Sequence, residues 1–132
     1  HALGHDWYDD SKATNPAAAM AALGEFARVI WICGGLTKGL DLSAMRDAVA
    51  AHVRYAYVIG HDARPFLSLL QAAGVQAEYV RTMEQAVAAA AQSPDELPVL
   101  LSPAAASQDQ FRDYAERGRA FVNAVRKLER QA

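Results

Sequence analysis

The sequence predicts a three-layer α/β domain in which helices cover both faces of a doubly wound, mostly parallel sheet. Short apolar segments alternate along the chain with helix-forming segments, as in proteins built from βαβ crossovers. The apolar segments lack a polar–apolar alternation, which is typical of strands buried on both faces. The 132 residues, 52% of them hydrophobic, are enough for one domain, spanning residues 1–132, with a core of ordinary size.

The strands are predicted from continuous apolar segments that end at turn-forming residues. Val29–Cys33 ends at a Gly-Gly pair, and Tyr55–Ile59 ends at Gly60. Trp7 and Tyr8 suggest a further edge strand near the start of the chain. The remaining predicted strands cover residues 76–80 and 97–101.

The helices are predicted from helical spacing of apolar residues and from capping residues. Asn15 followed by Pro16 marks the start of the first helix, and Thr82 is a cap for the fourth. Ser107 and Gln110 have the spacing of a capping box at the start of the last helix. The predicted helices cover residues 17–26, 43–52, 63–73, 83–91 and 110–128.

Composition excludes several classes of protein. The net charge of −2 favours neither nucleic acid nor an acidic membrane surface. No apolar stretch approaches the ~20 residues that cross a bilayer, and the N-terminus does not resemble a signal peptide. The lone cysteine, Cys33, is expected to be buried, which is compatible with a reduced, cytoplasmic setting. The chain starts without Met, which suggests a processed product or an excised fragment.

The first motif occupies residues 9–16, between the suggested edge strand and the first helix. A capped helix start exposes free N–H groups with partial positive charge, and Lys12 adds a full charge beside them. Asp10 cannot hold an anion, and it suits sugar hydroxyls or a polar network instead. The simplest alternative is an ordinary capped turn.

Two further motifs follow predicted strands, at residues 34–41 and 101–111. Because ligands bind beyond the carboxyl ends of parallel strands, all three motifs are expected at one edge of the sheet. Lys38 supplies a charge there, although a solvated loop lysine is an alternative, and the spacing around it is not that of a phosphate-binding P-loop. Together with Thr14 and Ser107, Lys38 suits a small dianionic amino acid or a phosphate.

The three motifs resemble those of the C-terminal domain of the Mur ligases, in the form that adds D-glutamate. The matching runs are DSKATN at residues 10–15, GGLTKGLD at residues 34–41 and LSPAAASQDQF at residues 101–111, which continues into Arg117 and Gly118. The chain departs from the family pattern at Ala105, Gln108 and Tyr114, where cysteine, an apolar residue and phenylalanine are common. None of these changes removes a charged group.

The resemblance implies a role for particular residues. Four positions match those that hold D-glutamate, Gln108 matches one that contributes a backbone contact, and two positions match those that face the nucleotide at its ribose and phosphate side. The D-glutamate positions are Thr14, Lys38, Ser107 and Tyr114, and the nucleotide positions are Asp10 and Lys12. No catalytic residue is expected in this chain. No metal ligand is expected either, because the four histidines lack ligand-like spacing; they are His1, His5, His52 and His61.

The resemblance also implies a reaction and its other participants. In the family, ATP with Mg²⁺ phosphorylates the carboxylate of UDP-N-acetylmuramoyl-L-alanine, and the amine of D-glutamate then attacks the acyl phosphate during peptidoglycan biosynthesis. The UDP-binding and central ATPase domains that this requires have no counterpart in this chain, so the 132 residues alone are expected to be inactive. Two alternatives stay open: a stand-alone small-ligand or interaction module, and the same domain of a sister ligase with another amino acid.

Overall fold

A five-stranded sheet forms the centre of the molecule in the computed structural model, which describes all 132 residues. Its order is β1-β5-β2-β3-β4, and every pairing is parallel. The strands are β1 (Trp7–Asp9), β2 (Val29–Gly34), β3 (Val53–Ile59), β4 (Ala77–Arg81) and β5 (Val99–Leu101). The predicted α/β class is therefore confirmed, and so is the edge strand at Trp7 and Tyr8.

Five helices connect and cover these strands, and most begin where the sequence predicts. They are α1 (Pro16–Leu23), α2 (Arg46–His52), α3 (Arg64–Ala73), α4 (Met83–Ala91) and α5 (Tyr114–Gln131), with a 3₁₀ turn at Ser43–Met45 ahead of α2. Asn15 and Thr82 accept hydrogen bonds from Ala18 N–H and Gln85 N–H, which confirms both predicted caps.

The predicted start of the last helix is wrong. Ser107 and Gln110 form no capping box, because the Gln110 amide donates to the carbonyl of Arg81 at 2.7 Å instead. The helix begins one turn later, where the Asp113 side chain accepts from Glu116 N–H at 2.8 Å. The Glu116 carboxylate in turn accepts from Arg112 N–H at 3.1 Å, so a reciprocal cap is formed by a second pair of side chains.

Two apolar clusters fill the space between the sheet and its helices. Alternate residues of β2 point to opposite faces, with Trp31 and Cys33 in one cluster and Ile30 and Ile32 in the other. The first cluster includes side chains of α1, α2 and α3, and the second includes side chains of α4 and α5. Burial raises the pKa of the Cys33 thiol well above its usual value, as expected for an enclosed cysteine.

The remaining differences lie at element ends. Helix α1 stops at Leu23, so Phe26 packs against the first cluster from outside the helix. Strand β3 starts two residues before the predicted position, because Val53 closes α2 with a hydrogen bond to Val49 and extends directly into the sheet. No helix in the structure has the length and apolar character needed to cross a bilayer.

Candidate functional site

Three loops meet at the carboxyl edge of the sheet, as predicted. The first loop (residues 10–15) follows β1, the second loop (residues 34–42) begins at the end of β2, and the third loop (residues 102–113) follows β5. Since β1, β5 and β2 are neighbours in a parallel sheet, their loops emerge side by side. Segments far apart in the sequence therefore form one surface.

The second and third loops are joined backbone to backbone. Leu36 and Ala106 exchange two hydrogen bonds of 2.9 Å, and Gly34 N–H donates to the Pro103 carbonyl at 3.1 Å. Gly35 has a φ of +134°, and a Cβ there would lie 2.3 Å from the Ala106 carbonyl oxygen. Glycine at position 35 is thus required for this close approach of the two loops.

The first loop is attached to the third loop at two points. Ala104 N–H donates to the Ala13 carbonyl at 3.0 Å, which joins the loop backbones directly. The Ser102 hydroxyl donates to the Asp10 carboxylate at 3.0 Å. Asp10 therefore belongs to a polar network, which is one of the roles that its sequence position suggested.

Arg117 connects the first loop, the third loop and helix α5. Its side chain is 1% exposed, and its guanidinium donates to Ser11 Oγ at 3.0 Å, to the Ser11 carbonyl at 2.7 Å and to the Ala105 carbonyl at 2.9 Å. The Ser11 hydroxyl then donates to the Tyr114 carbonyl at 2.6 Å. A single buried cation thus fixes three segments that come from different parts of the chain.

Burial of the Arg117 side chain disfavours its charged form. Desolvation lowers the pKa of Arg117 to about 10, although the charges of Asp109 and Asp9 act in the opposite direction. The guanidinium stays protonated at neutral pH, so a full positive charge holds the first and third loops against α5.

The predicted D-glutamate residues differ in how far they are satisfied within the chain. Lys38 is exposed, has a φ of +53° and takes part in none of the ion pairs of the structure. Ser107 is 2% exposed, and its hydroxyl is the one buried side-chain polar atom without a hydrogen-bond partner. A buried orphan hydroxyl is costly, and such groups commonly await a ligand or a water molecule.

The other predicted contacts lie around the same edge. Thr14 is half-buried and directly precedes the cap of α1, whereas Gln108 is exposed on the third loop beside Ser107. Tyr114 is the first residue of α5 and is 51% exposed. Its side chain is therefore largely open to solvent, where the third loop meets α5.

The predicted nucleotide residues border a surface cavity. Asp10 and Lys12 line a space of about 590 Å³ together with residues of β1 and α1. Lys12 is exposed, and the residues of this cavity include no cluster of His, Cys, Asp or Glu suited to a metal ion.

Sequence reasoning missed the supporting residues of the site. Arg117 was identified only as part of a motif, and the roles of Ser11 and Asp109 were not foreseen. Asp109 accepts a hydrogen bond from His61 N–H at 3.0 Å, which ties the third loop to the end of β3. A charged residue beside Gly118, on a helix face that is otherwise apolar, was the one available signal for Arg117.

Residues 2–105 match the model of the family described as "Mur ligase, glutamate ligase domain". The chain belongs to this family. Among curated proteins, it is 45% identical to the UDP-N-acetylmuramoylalanine–D-glutamate ligase of Methylobacillus flagellatus over 130 residues, which are 97% of this chain and 29% of that ligase. The corresponding ligase of Leifsonia xyli is 47% identical over 133 residues, covering 92% of this chain and 25% of that protein.

The third motif extends beyond the matched family region, yet the relatives cover it. A similar ligase from Exiguobacterium sibiricum is 41% identical over 128 residues, or 95% of this chain and 28% of the relative. The chain thus spans between a quarter and three tenths of the length of these Mur ligases. The resemblance drawn from the three sequence motifs is confirmed at the level of the family.

Proposed function

We propose that this chain is the D-glutamate-binding domain of a ligase that joins D-glutamate to UDP-N-acetylmuramoyl-L-alanine. The relatives that match nearly the whole chain carry this activity in their names. The observation that carries the proposal is a pair of unused polar groups, the Lys38 ammonium and the Ser107 hydroxyl, on two loops that are hydrogen-bonded to each other.

The chemistry of these loops suits a dicarboxylate. The Lys38 ammonium would pair with one carboxylate of D-glutamate, while the Ser107 hydroxyl and the backbone of Gln108 would donate to the other. Thr14 would contribute a further hydroxyl from the first loop, and Tyr114 would close the rim with its ring and hydroxyl. One cation and several donors around one small ligand would place its amine at a fixed position.

The nucleotide belongs to a neighbouring part of the proposed ligase. ATP supplies the phosphoryl group that activates the carboxylate of the UDP-linked substrate. Asp10 and Lys12 would contact the ribose and phosphate side of ATP from their cavity, which is consistent with their donor and acceptor types. Mg²⁺ would be held mainly outside this chain, by the central domain that precedes it in the proposed parent protein.

In this proposal, different domains of the parent protein bind different substrates. UDP-binding and ATPase domains would precede residues 1–132 and would hold the other substrates in the cytoplasm. Closure of this domain over them would bring the amine of D-glutamate to the activated carboxylate and exclude water. The 132 residues alone would bind but not catalyse.

The test is a ligase assay on the full-length protein with D-glutamate, L-glutamate, lysine and diaminopimelate as separate amino acids. We expect turnover with D-glutamate alone, and none by the isolated 132-residue chain. Turnover with lysine or diaminopimelate would instead identify a sister ligase. Activity of the isolated chain would refute the claim that catalysis requires the other domains.

The same assay tests Lys38 directly. Loss of a charge-assisted contact costs about 1.5–3 kcal/mol, so Lys38→Ala should raise the KM for D-glutamate roughly 10–100-fold and leave the KM for ATP unchanged. Lys127→Ala, an exposed lysine near the far end of α5, is the matched control. An unchanged KM for D-glutamate would remove Lys38 from the site.

A further inference from the structure

The third loop crosses the carboxyl ends of two strands that lie beyond the loops of the proposed site. Asp109 accepts from His61 N–H at 3.0 Å, just past the end of β3. Gln110 donates to the carbonyl of Arg81 at 2.7 Å, at the end of β4. The third loop therefore reaches from β5 across the sheet edge to its far strand.

Both contacts are made by side chains of a tight turn that also includes Ser107 and Gln108. Gln110 N–H and Phe111 N–H both donate to the Ser107 carbonyl, at 3.1 and 2.9 Å. The turn is closed by backbone groups alone, so the Ser107 hydroxyl is left without a partner. The side chains of the same turn that do make hydrogen bonds are those that reach the ends of β3 and β4.

The backbone has a positive φ at both strand ends, at Gly60 and at Arg81. Gly60 has a φ of +102°, and a Cβ there would lie 2.8 Å from the Asp109 carboxylate and 3.0 Å from Gly35 N. Arg81 has a φ of +71°, a conformation that non-glycine residues rarely adopt. The carboxylate of Asp109 thus packs directly on backbone that also contacts the second loop.

We infer that Asp109 and Gln110 are positioning residues, which set the height and orientation of the Ser107–Gln108 turn relative to Lys38. This inference rests on the proposed function, because it deepens the account of the same D-glutamate site. Without the two contacts, the loop would keep its hydrogen bonds at Ala105 and Ala106 and the packing of Phe111 against the second apolar cluster, but the turn would lose its hydrogen bonds to the ends of β3 and β4. The donors of the turn would then sample positions that do not match the carboxylate.

The first experiment measures the steady-state kinetics of the full-length protein with Asp109→Ala, Asp109→Asn and Gln110→Met. Asp109→Ala removes the acceptor for His61 N–H, whereas Asp109→Asn keeps an acceptor oxygen and removes the charge. Gln110→Met has a similar size, adds no charge and removes the donor to the Arg81 carbonyl. Asp47→Ala, an exposed carboxylate on α2, is the control.

We expect Asp109→Ala and Gln110→Met each to raise the KM for D-glutamate about tenfold, a change comparable with the loss of one hydrogen bond. The KM for ATP and kcat should stay close to those of the wild type. Asp109→Asn should stay within about threefold of the wild type, because the hydrogen bond to His61 is retained. A merely structural role would instead lower the activity for all substrates together.

The second measurement is amide hydrogen exchange at His61 in the same full-length variants. Exchange should be faster in Asp109→Ala than in the wild type and close to the wild type in Asp109→Asn. This readout does not depend on the identity of the amino-acid substrate, so it also shows whether the Asp109 contact exists when a variant is poorly active.

The outcomes separate this inference from the proposed function. Wild-type protein that does not use D-glutamate would overturn both. Wild-type protein that uses D-glutamate, with Asp109→Ala and Gln110→Met indistinguishable from Asp47→Ala, would overturn the positioning role alone. Equal losses in kcat and in the efficiency for every substrate would also overturn it, since they would indicate general destabilisation.

Discussion

Replacement of Arg117 tests the claim that one buried cation holds the site loops together. The variant Arg117→Met keeps most of the side-chain volume and removes the charge with all three hydrogen bonds. The carbonyl oxygens of Ser11 and Ala105 would each lose the guanidinium donor that they have in the structure. We therefore expect the loops to loosen and the domain to lose stability.

The magnitude is a difference between two opposing effects. Three hydrogen bonds from a charged donor contribute about 1.5–3 kcal/mol each, or roughly 4–9 kcal/mol together. Burial lowers the pKa of Arg117 to about 10 from 12.5, and a change of one pKa unit corresponds to about 1.4 kcal/mol, so the cation costs about 3 kcal/mol. Removal of the side chain also removes this cost, which leaves a net destabilisation of about 1–6 kcal/mol.

The assay is urea unfolding of the 132-residue chain, with the midpoint and the slope measured for each variant. Arg119→Met is the matched control, because Arg119 is exposed on the same helix two residues away. We expect the control to lie within about 0.5 kcal/mol of the wild type. Arg117→Lys should be intermediate, since an ammonium keeps the charge but cannot match the planar arrangement of donors.

The result that would refute this reasoning is an Arg117→Met variant as stable as Arg119→Met. Such a result would mean that the cost of burying the guanidinium cancels its hydrogen bonds. The cation would then contribute to the specificity of the loop arrangement and not to stability, as is known for some buried ion pairs.

Two further predictions follow from the cap and the glycines. Asp113→Ala should lower the free energy of unfolding by about 1 kcal/mol in urea, because the Asp113 side chain caps α5. Ser107→Ala should leave it unchanged, because the Ser107 hydroxyl makes no hydrogen bond. The opposite result would favour Ser107 as the cap, as predicted from the sequence. Gly34→Ala should cost several kcal/mol or prevent folding, since its Cβ would lie 2.0 Å from the Ile59 carbonyl oxygen. Gly39 has a φ of +77°, and an added Cβ there would have no atom within 4 Å, so Gly39→Ala should cost only about 1–2 kcal/mol. If thermal unfolding showed the same loss for Gly34→Ala and Gly39→Ala, the contact between Gly34 and Ile59 would not explain the loss.

The sequence was sufficient to predict what depends on local pattern and on chain order. The apolar segments at β2 and β3 and the caps at Asn15 and Thr82 are set by nearby residues, and the structure confirms them. The meeting of the three loops was also predicted, because the carboxyl ends of parallel strands share one edge. None of these inferences required knowledge of a long-range side-chain contact.

The errors arise where distant partners compete for a side chain. Residues 107–110 and 113–116 both have the spacing of a helix cap, and local sequence gives no reason to choose between them. The choice is made by Arg81, whose carbonyl binds the Gln110 amide that a cap at Ser107 would need. Arg117 escaped prediction for the same reason, since its acceptors at Ser11 and Ala105 precede it by 106 and 12 residues.

The pattern of satisfied and unsatisfied groups is an independent argument for the proposed site. Two cations, Lys38 and Arg117, and two serine hydroxyls, those of Ser11 and Ser107, can be compared in how far the chain itself uses them. Arg117 and the hydroxyl of Ser11 are fully engaged with backbone groups of the chain. Lys38 has no ion-pair partner, and the Ser107 hydroxyl has no hydrogen-bond partner at all.

The resemblance assigned Lys38 and Ser107 to D-glutamate from their sequence positions alone, without information about their partners. A folded domain that needed these groups for its own stability would have used them as it uses Arg117 and Ser11. An orphan hydroxyl that is 2% exposed costs stability unless something else binds it. The Ser107 hydroxyl and the unpaired Lys38 on the adjoining loop therefore support the proposal that a ligand with two anionic groups binds at this edge.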